Sequence, residues 1–235
     1  MKYGKNAILL LFAFFLFTGV AQAVPVLDGV MGNDWDGHFT SGEETFGNTA
    51  INYIGPGWGG QQFDIEKIGL QIENGNLYFG LQTGFNFMSG VTYGNDYYTP
   101  GDIFIDFGSD SVWDLAINLA DYTIYTVGTY DDPYYTSSTP FKLLTGTAIG
   151  SATVFRSTGS NAYSELIYTL EGVFNLSALG FDQAAVQSAI IHWTMSCGND
   201  ILEHEANAPV PEPATLLLLG TGMIGIAGIR RKMQK

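Results

Sequence analysis

The chain has a single cysteine, Cys197, in 235 residues. No intrachain disulfide can form, so even in an oxidising compartment the fold must be held by its core. A lone thiol has three fates: a buried small hydrophobe, an intermolecular disulfide or a reactive group. Burial is expected, because Cys197 follows the apolar stretch Ile190 to Met195. Cations are also scarce, with nine Lys and Arg against 23 Asp and Glu. Between Val24 and Ala208 the imbalance sharpens: 22 acids face only Lys67, Lys142 and Arg156, an excess of 19 negative charges. Nucleic acid is thereby excluded as a partner, since its affinity rests on cations that neutralise phosphates. Such a surface stays soluble and draws divalent cations or basic partners.

Catalytic patterns are missing as well. There is no G-x-S-x-G elbow, no H-E-x-x-H and no P-loop, and His38, His192 and His204 lack metal-ligand spacing. Cys197 and His192 could be written as a nucleophile and its base, but residues five apart on a strand point to opposite faces. Asp102, Asp106, Asp110 and Asp114 could supply the paired carboxylates of a glycoside hydrolase. Acids are so numerous that a solvated strand face is the expected role instead. The chain reads as a non-enzyme that requires no cofactor, with glycoside hydrolysis the weaker alternative.

What is abundant is period-two alternation, punctuated by Gly, Asn, Asp and Pro. Ile68 to Ile72 and Leu77 to Leu81 flank Asn74-Gly75, a dipeptide that accepts the positive φ angles of a type I′ hairpin. Ile103, Ile105 and Phe107 alternate with Asp102, Phe104 and Asp106, and Trp113, Leu115, Ile117 and Leu119 follow after a turn. Further strands are expected over 122–130, 148–155, 163–170 and 190–195. A short helix is expected over 182–188, where Asp182 could cap the first turn. The class is all-β, an antiparallel two-sheet β-sandwich ectodomain spanning 24–203.

Candidate ligand groups follow from residue chemistry. Calcium needs clustered oxygen donors, and two places offer them: Asn33, Asp34 and Asp36, and Asn199, Asp200 and Glu203. Asx-turns without metal are the competing reading. A sugar is gripped by flat rings in loops, which Trp58, Tyr97, Tyr98, Tyr134 and Tyr135 could supply. Consecutive tyrosines on a strand would instead split between core and solvent, and both readings stand.

The two ends are the most explicit parts of the chain. Lys2 and Lys5, the apolar run Ala7 to Val20 and the small residues Ala21 and Ala23 form a signal peptide over 1–23, with signal peptidase cutting before Val24. At the other end, a linker over 204–213 carries Pro211-Glu212-Pro213 and leads into an apolar run from Ala214 to Ile229. The chain then closes on Arg230, Arg231, Lys232 and Lys235. The run has 16 residues, which as a helix spans about 24 Å, short of a hydrocarbon core of about 30 Å. Residues 214–235 are therefore expected to form a single marginal transmembrane helix with its basic tail held in the cytoplasm.

Pro211-Glu212-Pro213, the glycine-containing apolar run and the Arg230-Arg231 pair, in that order, resemble the PEP-CTERM sorting signal. The resemblance implies an exosortase as partner, a membrane protease of Gram-negative bacteria that cuts near Pro-Glu-Pro and releases or transfers the ectodomain. The implied residence is the inner membrane in passing, then the cell surface or an extracellular matrix. Asp28-Gly29, Trp35, Leu77-Tyr78-Phe79 and Gly101 to Asp106 are also similar in order to motifs of family 9 carbohydrate-binding modules and DOMON-like sandwiches. The expected function is that of an exported, exosortase-sorted surface or matrix protein associated with extracellular polysaccharide. The alternative is a carbohydrate-binding module with structural calcium.

Overall fold

Strands appear where alternation is bounded by residues that let the chain reverse. The computed structural model describes residues 24–41, 60–134, 139–160, 164–182 and 186–207. Along them run β1 (Phe39–Ser41), β2 (Ile65–Glu73), β3 (Asn76–Thr83), β4 (Val91–Tyr93), β5 (Asp96–Tyr98), β6 (Ile103–Phe107) and β7 (Leu115–Ile117). The series continues with β8 (Thr123–Asp131), β9 (Lys142–Ser151), β10 (Thr153–Ser160), β11 (Leu166–Asn175), β12 (Ser188–Thr194) and β13 (Ile201–Asn207).

The Asn-Gly hairpin forms as expected: β2 pairs with β3, Ile72 opposite Leu77 and Ile68 opposite Leu81. Asn74 and Gly75 take φ angles of 50° and 78°, the two positive values a type I′ turn requires. The second expected pair is also present, with Ile103 opposite Ile117. Strand pairing is antiparallel throughout the described residues, in a five-stranded sheet ordered β1-β2-β3-β11-β10, a six-stranded sheet ordered β13-β12-β6-β7-β8-β9, and a separate β4-β5 hairpin.

Alternation gives each large sheet one apolar face, and the two faces share a core. Ile68, Leu70, Leu81 and Leu170 come from one sheet and Ile103, Ile105, Leu115, Ile191 and Trp193 from the other, all fully buried. Burying a side chain of this size contributes about 1.5–3 kcal/mol, so a core of this kind can stand without disulfides. Along one side the layers meet where β13 packs against β2 and β1, with Thr40 Oγ1 and His204 Nδ1 sharing a hydrogen bond of 3.1 Å. On the other side the chain passes directly from one layer to the other.

That crossing corrects the strand expected over 148–155. It is the junction of β9 and β10, which lie in different sheets and are separated by Ala152, whose N–H donates to the Tyr122 carbonyl at 3.0 Å. The helix expected over 182–188 does not reach its end, because Ser188 opens β12; residues 183–185 lie outside the described residues. The linker expected from residue 204 starts later. Glu203–Asn207 belongs to β13, bonded along β12 from Thr194↔Ile201 to Ser188↔Asn207, because Leu202, His204 and Ala206 turn inward while Glu203, Glu205 and Asn207 face water.

Candidate functional site

The outer face of the five-stranded sheet carries a feature that alternation alone does not announce. Gly69, Gly80 and Glu171 lie side by side across β2, β3 and β11. The two glycines leave a depression in which Trp35 and Met31 sit: a Cβ on Gly69 would lie 2.9 Å from the Trp35 ring, and one on Gly80 2.8 Å from Met31 Cε. Trp35 Nε1 donates to Glu171 Oε1 at 2.7 Å. The amides of Gly29, Asp28 and Val30 donate to Glu171 Oε2 at 2.5, 3.1 and 3.1 Å. One buried carboxylate thus straps the segment from Asp28 to Trp35 onto the sheet. Burial pushes its pKa up, opposed by the Trp35 and Gly29 hydrogen bonds.

Asp34 and Asp36 belong to the same strap. Asp34 Oδ2 accepts from the Val26 amide at 2.7 Å, and Asn33–Trp35 forms a single 3-10 turn on which the Asp36 amide closes. At the other proposed calcium position the residues part company. Asp200 turns inward, where Oδ2 accepts from the Ile65 amide at 2.7 Å, while Glu203 Oε1 lies 3.0 Å from His192 Nδ1. Among the described residues there is no group of three or more His, Cys, Asp or Glu side chains that could hold a metal.

Asp200 has a different partner. It and Asp64 are both buried where β2 begins and where the β12–β13 turn closes. Burial pushes the Asp200 carboxyl up to about 6, against the opposing hydrogen bonds of the Ile65 and Ile201 amides and the Asp64 side chain. Two carboxyl groups are thereby buried together in the contact between the sheets.

The four aspartates written as hydrolase candidates are occupied in organising loops. Asp102 is bound to Lys142 Nζ at 2.6 Å and to the Leu143 amide at 3.0 Å. Asp106 accepts from the Ser111 amide at 2.8 Å, Asp110 from Val112 at 3.0 Å, and Asp114 from Phe107 at 2.7 Å. The solvated face expected for Asp102 and Asp106 is corrected: both are buried, and Phe104 between them packs on Trp113 and Tyr130 at 6.1 and 5.7 Å between ring centres. Cys197 is buried in the core and its thiol pKa is raised by that burial. His192 faces two acceptors, Glu203 and the Pro140 carbonyl at 2.9 Å, so neither ring nitrogen is available to Cys197.

Of the candidate aromatic residues, Trp58 and Tyr135 lie outside the described residues. Tyr97 and Tyr98 split as strand neighbours do. Tyr97 is 59% exposed, with its hydroxyl on the Ser89 carbonyl, whereas the Tyr98 ring packs edge-on to Phe63 at 5.3 Å. Tyr134 is 83% exposed. Ser196 ties the two segments together: its carbonyl accepts from the Tyr134 amide at 2.9 Å and its Oγ from the Thr99 amide at 3.0 Å. Sequence reasoning passed over Tyr93, also exposed, on the strand paired with Tyr97's. Gly94-Asn95 between them was the available signal, a two-residue hairpin turn with Gly94 at φ 63°.

Ala21, Ala23, Pro211, Glu212, Pro213, Arg230 and Arg231 lie outside the described residues, as does the apolar run they flank. Among the described residues no helix is long and apolar enough to cross a membrane. No curated protein and no solved structure matches the chain. At its C-terminal end, residues 209–232 match the PEP-CTERM protein-sorting motif, so the chain carries the signal that directs exosortase-dependent sorting of surface proteins.

Proposed function

We propose that the chain is a non-enzymatic surface or extracellular-matrix protein. Its β-sandwich is exported behind a cleaved leader, held in the inner membrane by residues 214–235, and freed when an exosortase cuts near Pro211-Glu212-Pro213. The match over residues 209–232 carries this reading. The acidic ectodomain suits a crowded, hydrated matrix in which net charge keeps chains apart, and extracellular polysaccharide is the surrounding it is proposed to associate with. The test is to replace Pro211-Glu212-Pro213 by three alanines in the producing cell. The variant is expected to stay in the membrane fraction at full length, while the native chain leaves it; equal release of both would refute the reading.

The tie at Ser196 favours a second reading for the ligand. Tyr97 and Tyr134 present exposed rings from two segments joined at one residue, and stacked rings cover the apolar face of a sugar. In this reading the hairpin end of the sandwich is a carbohydrate-binding surface. Glycan-array binding lost in the Tyr97→Ala, Tyr134→Ala double variant would support it. No binding of the native protein to any glycan would remove it.

A further inference from the structure

The end strand of a sheet presents a row of unpaired amides and carbonyls, and proteins that remain single guard such rows with charge, brevity, proline or bulges. The two large sheets end in β1, β10, β9 and β13. β1 has three residues. β13 turns Glu203 and Glu205 outward. β9 is broken against β8 by register shifts at three places. β10 is long and regular and keeps only one of these guards, a single cation. Its eight residues pair with β11 in unbroken register from Thr153↔Val173 to Ser160↔Leu166, without a proline or an acid. Its one charge, Arg156, lies over the Tyr122 ring at 5.5 Å. Its third residue, Phe155, is 53% exposed.

Charge argues for what covers this strand. From Pro133 to Ser164 there is no Asp or Glu, the longest acid-free stretch between Val24 and Ala208, and it holds two of the three cations of that region. Two copies, each with an excess of 19 negative charges there, repel over most of their surfaces, but two β10 strands carry no acid of their own to set against each other. An antiparallel pair about a two-fold axis is self-complementary, since each copy offers the same strand in the same way. We propose that β10 is a self-association edge: the β10 of a second copy pairs with it antiparallel, joins two five-stranded sheets into one, and places the Phe155 of each copy in the seam.

The test is sedimentation of the full chain in detergent at micromolar concentration, comparing Phe155→Asp in β10 with Leu144→Asp in β9. Both sites are exposed and both variants gain the same charge, so a general charge effect moves both alike. The native chain and Leu144→Asp are expected to sediment as a two-copy species, and Phe155→Asp is expected to raise the dissociation constant by about ten-fold or more. Unchanged thermal unfolding shows that Phe155→Asp still folds; if it does not, Thr158→Glu puts an acid on the same strand and is read in its place. A native chain that sediments as a single copy overturns the proposal, as does a two-copy species that survives the β10 variant or is lost equally in the β9 variant.

Discussion

Glu171 shows how one residue can carry a contact between distant parts of a chain. Its carboxylate takes four hydrogen bonds from Trp35, Gly29, Asp28 and Val30, which no other side chain of similar size can accept. In Glu171→Gln the amide nitrogen must face donors at one of the two positions, and a buried donor left without an acceptor costs about 1–3 kcal/mol. The variant should lower the unfolding free energy measured in urea by that amount, with a lower midpoint; an unchanged midpoint would show that the strap contributes nothing. Asp200 gives a pH signature. Its carboxyl is raised from 3.8 to about 6, so the folded state binds the proton more tightly. Its contribution is full below pH 3.8 and is lost as pH rises through about 6, worth about 2–3 kcal/mol in all. Unfolding measured from pH 4 to 7 should show this decline in the native chain. Asp200→Asn should be flatter and the more stable of the two at pH 7, because an amide can accept from Ile65 and donate to Asp64 without a charge. Neither role was legible in the sequence. Alternation assigns Asp102 and Asp106 to an outer face and the strand expected over 163–170 stops short of Glu171, and neither pattern reveals that the two aspartates are buried or that the Asp28–Trp35 segment covers Glu171.

At the level of elements, turns were legible wherever their chemistry is local. Asn74-Gly75 specifies its hairpin through two positive φ angles, and an alanine at Gly75 meets the left-handed penalty of about 1–2 kcal/mol. Gly75→Ala is therefore predicted to lose about that much stability in denaturant unfolding, whereas Gly159→Ala, in the exposed β10 strand with only a 3.9 Å contact to Ile167, should lose less. Equal losses would contradict the turn assignment. Elements set by distant partners were misread. A strand that passes from one sheet to another keeps its alternation across Ala152, so the end of β9 and the start of β10 read as one strand over 148–155. His204–Asn207 read as the start of a tether because the segment's Ala, Asn and Pro disfavour regular structure, yet an edge strand tolerates Glu205 and Asn207 on its wet side while Leu202 and Ala206 hold the inner one.

The whole molecule joins an acidic, disulfide-free sandwich to a tail that names a destination. The tail was legible because a sorting signal is read by its receptor as a short linear pattern, complete in Pro211-Glu212-Pro213, the apolar run and Arg230-Arg231. What the sandwich binds was not, because a ring that packs and a ring that grips have the same letter. Tyr98 and Tyr97 are neighbours in sequence with opposite surroundings. The central claim is that the tail is removed after it has done its work. It is tested most directly by the intact mass of the protein recovered from the surface or matrix of the producing cell. The account predicts a chain that starts at Val24 and ends near Pro211, without Ala214 to Lys235. A surface-recovered chain that still carries those residues would contradict it.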